Sequence, residues 1–263
     1  MRFFDSHAHY WDERFTENGE SADALIGALL ADTVSGIVNI GTSPETSRAA
    51  LSQAKRHAGM YVAAGIHPSD TRFLSSLDRE LAEIESIIRE NPDKVVALGE
   101  IGLDYHYEDT DRDKQALYFE AQLALSESLD IPVVIHDREA HADIFSIVCK
   151  HPRAYGVIHS YSGSAELARE FARRGWMISF SGTVSFKNAG KVAEAARAVP
   201  SELLLIETDA PYLTPHPFRG KRNDSGYLLY TCTALAERRG ISVEECAEIT
   251  DANARRLFRL PRE

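Results

Sequence analysis

Several things that would mark a simple class are scarce in this chain. Cys149, Cys232 and Cys246 are an odd number of thiols with no CxxC spacing, which argues against a disulfide framework and against a cysteine-ligated zinc. No stretch approaches the roughly twenty consecutive apolar residues that a membrane-spanning helix needs. An acid interrupts Met1-Arg2-Phe3-Phe4-Asp5 where a secretory leader would continue its apolar core, so a cytoplasmic location without membrane association is expected. Positive charge is also short, with 29 Lys and Arg against 40 Asp and Glu and a net charge of −11. That balance argues against a broad basic surface of the kind that grips duplex DNA regardless of sequence, although local charge must decide. It leaves room for a nuclease that holds only the phosphates near the cut, through bound cations and a few local Arg and Lys. Low-complexity tracts and linkers are missing too, so 1–263 reads as one domain.

What is present is a regular alternation. Apolar, β-branched runs occur near 2–6, 34–41, 61–66, 94–100, 131–136, 154–159, 175–181 and 203–208. Helix-period stretches lie between them at 22–30, 47–57, 77–89, 114–126, 140–150, 165–174 and 189–198, and the tail carries more at 227–238, 243–250 and 251–258. Asp78, Asp111 and Ser164 stand where N-caps would be, and Pro44 suits a first helical turn. Continuously apolar strands separated by helices indicate a parallel sheet covered on both faces. Eight such runs in 263 residues predict an α/β fold, a (β/α)8 TIM barrel.

Five of the runs end in His or carboxylate. They lead into His7 and His9, Glu100, His136, His159, and Glu207 with Asp209. A closed parallel barrel gathers the C-terminal strand ends on one face, so residues spread over two hundred positions would share a pocket. On an extended segment His7 and His9 point the same way and form a two-nitrogen clamp. Glu100 offers two oxygens and can bridge two cations, and an ionised buried acid needs a partner of that kind. Of the last pair, Asp209 is assigned to metal and attacking water and Glu207 to a supporting role, although spacing alone permits the reverse. Six such groups exceed what one catalytic cation takes, and two ions about 4 Å apart would use them all. Imidazole and carboxylate without thiolate suit Zn, Mn, Co or Mg.

Other residues are candidates on the substrate side. Arg138 can reach a phosphate or pair with a helix acid, and His67 can donate to a phosphate oxygen or be a structural histidine. Arg219, Lys221 and Arg222 follow the last strand and supply local positive charge, or form a solvated turn. Asp104 orients a ligand histidine or caps the turn that follows it.

The ordered set Asp5-Ser6-His7-Ala8-His9, Gly65-Ile66-His67-Pro68, Gly99-Glu100-Ile101-Gly102-Leu103-Asp104-Tyr105, Pro132-Val133-Val134-Ile135-His136-Asp137-Arg138, His159-Ser160-Tyr161-Ser162-Gly163, Glu207-Thr208-Asp209-Ala210-Pro211-Tyr212-Leu213, Arg219-Gly220-Lys221-Arg222-Asn223 and Asn253-Ala254 resembles the TatD-related DNase family of metal-dependent hydrolases over essentially the whole chain. Ser160 stands where the family usually has Cys, and Ser69 where His or Glu commonly follows the Gly-Ile-His-Pro motif. The resemblance implies a (β/α)8 barrel with 3′→5′ exonuclease activity on DNA, supported by two divalent ions. It implies one ion held by His7, His9, Glu100 and Asp209, the other by Glu100, His136 and His159, and Asp209 helping to activate the water. Single-stranded DNA or 3′ ends would be the substrate, and no obligate protein partner is inferred. Two competing readings are an amidohydrolase-type C–N or lactone hydrolase on the same barrel, and a metal-stabilised adaptor without turnover.

Overall fold

The structure, a computed structural model, describes residues 1–261. All eight apolar runs form strands: β1 (Phe3–Ala8), β2 (Val34–Ile40), β3 (Met60–Ala64), β4 (Val95–Asp104), β5 (Val133–Arg138), β6 (Gly156–Ile158), β7 (Met177–Phe180) and β8 (Leu204–Ile206). They pair in parallel in sequence order. The last strand returns to the first where His9 N donates to Ala210 O (2.7 Å) and Asp209 N donates to His7 O (2.9 Å). Helices α1 (Ala22–Asp32), α2 (Pro44–Ala54), α3 (Leu77–Glu90), α4 (Arg112–Leu129), α5 (His141–Lys150), α6 (Ala165–Arg173), α7 (Gly190–Ala198), α8 (Leu228–Arg239) and α9 (Val243–Leu257) surround them. The chain is a single TIM barrel.

Local chemistry sets the helix starts. Pro44 opens α2 behind a Ser43–Thr46 capping box, and Asp111 and Ser164 cap α4 and α6 by accepting from Lys114 N and Leu167 N. Asp78 is not a cap. Ser76 holds that position, and Asp78 sits in the first turn of α3, where its charge favours the helix dipole. The separate helical patterns at 243–250 and 251–258 fuse into α9, since neither proline nor glycine interrupts the backbone between Val243 and Leu257.

Alternation along the strands divides the barrel into layers. Phe4, Val38, Val134, Val157, Met177 and Leu205 fill the interior, and Phe258 stacks on Phe4 to close the floor. Two residues further along the same face come His136, His159, Ser179 and Glu207, so the apolar plug gives way to a polar layer at the C-terminal mouth. The alternate face, with Phe3, Ile37, Val133, Ile158 and Ile178, packs under the helices.

Two local features place the mouth. Glu100 is the extra residue of a bulge in β4, because Gly99 pairs with Val134 and Ile101 with Ile135; bulges of this kind re-aim side chains beside active sites. Gly102 has φ +140°, and a Cβ there would lie 2.0 Å from His136 O, so glycine alone lets β4 approach β5 at this level. The seam between β1 and β8 is held by Asp5, fully buried, which accepts from Thr208 N (3.0 Å), Thr208 Oγ1 (2.7 Å), Ser225 Oγ (2.6 Å) and His7 N (3.3 Å). Burial pushes Asp5 up to about 6, and these donors oppose the shift. Asp5→Ala is expected to cost about 3 kcal/mol by stranding buried donors. Thermal denaturation should show a Tm lower by about 6–12 °C.

Candidate metal centre

Each donor reaches the mouth for a reason of backbone geometry. His7 and His9 share one face at the end of β1. His136 lies in β5 and His159 one residue past β6, while Glu100 projects from the bulge. Asp209 follows β8 with φ +57°, a left-handed conformation that Asp tolerates better than most residues. All six sit within one cluster.

One oxygen of Glu100 meets the first group. Oε2 lies 3.5 Å from His7 Nε2 and 3.7 Å from His9 Nε2. Asp209 Oδ1 lies 3.6 and 3.4 Å from the same nitrogens, which are 3.1 Å apart. Four donors around a cation at about 2.1 Å stand about 3.4 Å from one another, so these spacings fit an ion-sized tetrahedron. The other oxygen meets the second group: Oε1 is 2.9 Å from His136 Nδ1 and 2.9 Å from His159 Nε2, and those nitrogens are 3.3 Å apart.

The acceptors behind the rings orient them. His9 Nδ1 donates to Ile40 O (3.0 Å), His136 Nε2 faces Asp104 Oδ2 (3.2 Å), and His159 Nδ1 faces Glu207 Oε1 (3.2 Å). A carbonyl or carboxylate takes the proton-bearing nitrogen, so in each neutral ring the lone pair of the other nitrogen points into the site. Asp104 and Glu207 therefore stand behind donor histidines. Gln115 Oε1 accepts from Asp104 N (2.9 Å), and Ser179 donates to Glu207. Lone pairs crowded against carboxylate oxygens repel unless positive charge lies among them, and this donor set fits divalent cations.

Electrostatics point the same way. Burial pushes Glu100 up, yet His159, His7, His67 and His136 hold it well below the usual carboxylate range. Burial opposes charge on His159, but Glu100 and Glu207 hold that imidazole well above its ordinary value. Burial and His159 together lower His7, while Asp209 is held below its ordinary value, against its burial, by His9, His7 and His159. The site is an anionic pocket that draws in positive charge. A divalent ion can supply it in place of protons.

The substrate-side candidates separate spatially. Two cavities of about 460 and 410 Å³ flank the donors and share His136, His159 and Asp209 along their walls. Arg138 lines both, its guanidinium 4.0 Å from Asp104 and over the Tyr107 ring. His67 lines the smaller one. Its Nδ1 accepts from Ser69 N (3.1 Å), so the neutral ring carries its proton on Nε2, 3.7 Å from Glu100 Oε1. Burial, with His136 alongside, lowers His67 to about 3, so the ring stays neutral, and with Glu100 and His136 it forms one of the groups close enough to hold an ion. Arg219 lies over the Phe186 ring at 4.1 Å. Lys221 and Arg222 border a different depression, where Arg222 pairs with Glu20 and bonds to Arg14 O. The sequence reading named nothing at the end of β7, yet Thr183, Phe186 and Asn188 line the larger cavity. The signal was positional, since a seventh strand end must also open on the mouth, and the lack of His or acid there concealed it.

The profile of the family described as TatD related DNase matches residues 4–259. The chain is 39% identical over 259 residues to the uncharacterized metal-dependent hydrolase YabD of Bacillus subtilis, covering 98% of this chain and 99% of that one. It is 35% identical to the uncharacterized metal-dependent hydrolase TatD of Mycobacterium tuberculosis, with 97% of each chain covered. The crystal structure of YJJV, a TatD homolog from Escherichia coli K12, superposes with a TM-score of 0.88 at 30% identity over 99% of both chains. The chain thus belongs to the TatD-related DNase family and is a metal-dependent hydrolase.

Proposed function

We propose that this hydrolase cleaves phosphodiester bonds and removes nucleotides from the 3′ end of DNA. The observation that carries the reading is Glu100, whose two oxygens face separate donor groups on either side of one buried carboxylate. His7, His9, Glu100 and Asp209 would hold one cation and Glu100, His136 and His159 a second, with Mg, Mn, Zn and Co all compatible with the set. Cations held by these residues would supply Lewis-acid polarisation of phosphoryl oxygens and would make a water in the site more acidic.

The chain's own groups do the rest. Asp209, ionised beside His9, accepts the proton of the attacking water. His67 donates from Nε2 to a phosphoryl oxygen, and the exposed guanidinium of Arg138 offers a fork to the phosphate at the mouth. Asp104 and Glu207 hold the tautomers of His136 and His159. The net charge of −11 disfavours a duplex-wide grip, so a strand end reaching into the cavities suits this surface better. Three unbridged thiols suit a reducing compartment, in keeping with a cytoplasmic enzyme, and no helix among the described residues is long and apolar enough to cross a membrane.

Two measurements test this. After equilibration with Mn²⁺ or Zn²⁺ and dialysis, elemental analysis should find more metal lost from Glu100→Ala than from His136→Ala, because only Glu100 faces both groups. Equal loss would contradict the shared carboxylate. On 5′-labelled single-stranded DNA with Mg²⁺, Mn²⁺ and Zn²⁺ compared, the wild type should shorten the strand stepwise from its 3′ end. Glu100→Ala and His136→Ala should each reduce that rate by about 10³-fold or more. Turnover of amides or lactones without release of nucleotides would sink the nuclease reading.

A further inference from the structure

We propose that the larger cavity seats the unpaired 3′-terminal nucleoside, its base stacked on Phe186, so that Phe186 recognises the strand end; this rests on the nuclease function proposed above. The two cavities divide by chemistry. The smaller gathers His9, His67, Asp70, Glu100 and Asp104 together with Trp11 and Tyr107, while the larger has Phe186, Ala189, Val192 and Leu213 beside Asp137 and Arg138. Both open on His136, His159 and Asp209, so a phosphodiester held at those groups extends one way into an acidic lobe and the other into an apolar one. A nucleobase belongs in the apolar lobe. At about 460 Å³, that lobe is the size of a site for one small ligand.

Phe186 is built as a stacking platform. Arg219 covers one face of the ring at 4.1 Å and the ring lines the lobe, which leaves the opposite face for a flat ligand. The loop that carries it is braced. Phe186 N donates to Thr183 O (3.1 Å), Ser185 Oγ to Gly182 O (2.6 Å), and His216 N to Ser185 Oγ (2.8 Å). At Gly182 a Cβ would sit 2.1 Å from Leu213 O, so the loops after β7 and β8 lie backbone against backbone. The ring is thereby fixed relative to Asp209.

Beside it runs a chain of hydroxyls, Ser160 Oγ to Ser181 Oγ (2.9 Å) and Ser181 Oγ to Thr183 Oγ1 (3.1 Å), with Ser160 and Thr183 lining the lobe. A hydroxyl both donates and accepts, so this edge suits any of the four bases and selects the presence of a base rather than its identity. A base stacked on Phe186 has left its own neighbour and its pairing partner, so the lobe calls for an unpaired end.

The test uses the whole protein with Mn²⁺ and a single-stranded 12-mer, against the same oligomer whose 3′-terminal residue lacks its base. Stacking on an aromatic ring predicts a wild-type KM about 10-fold higher for the abasic end. Phe186→Leu, which keeps apolar bulk and loses the π face, should bring the ratio of the two KM values to about 1, and Phe186→Tyr should preserve the wild-type ratio. Equal wild-type KM values for the two oligomers would overturn the proposal while leaving the nuclease reading intact. So would a Phe186→Leu variant whose KM rises alike on both. Cleavage of neither oligomer by the wild type would remove the nuclease reading and this inference with it.

Discussion

An ionised carboxylate at the bottom of a protein cleft has to be compensated, and here that carboxylate is Glu100, 3% exposed. Taking such a charge out of water costs several kcal/mol after relaxation, and a single partner seldom offsets it. The fold supplies partners on both sides of the group: His7 and His9 toward one oxygen, His136 and His159 toward the other. Three of those rings, His9, His136 and His159, are held in turn by the Ile40 carbonyl, Asp104 and Glu207. Remove the bulge that turns Glu100 inward and the arrangement loses its centre.

How legible this was depended on the kind of constraint. The barrel could be read because strands buried on both faces are continuously apolar, and all eight runs were. The donors could be read because His and Asp stand out at the end of such runs. The bulge at Glu100 leaves no trace in a run of apolar residues, since an extra residue changes pairing rather than composition. Lys221 and Arg222 follow β8 as expected, but they border a separate depression, where Glu20 and the Arg14 carbonyl, two hundred positions earlier, engage Arg222. Phe186 escaped notice because an aromatic after an apolar strand resembles core. Long-range partners decided each of these, and local pattern carries no information about them.

The charges around the cleft bear on how an acidic protein would meet the anionic substrate proposed for it. The cationic groups are few and placed singly, each laid on an aromatic ring: Arg219 on Phe186, Arg138 on Tyr107 and Arg14 on Tyr212. Such pairing holds a guanidinium near the mouth without a dense basic field, which would attract nucleic acid of every kind.

The closure of β8 onto β1 bears on how the protein is made. Asp209 and the His7–His9 pair lie two hundred residues apart, and the Asp5 network that joins their strands needs Thr208 and Ser225. A chain still on the ribosome, its synthesis halted before residue 209, possesses His7, His9, Glu100, His136 and His159 but neither the seam nor the final carboxylate. The donor cluster is therefore completed late in synthesis, once the segment carrying Thr208, Asp209 and Ser225 can close the barrel onto β1.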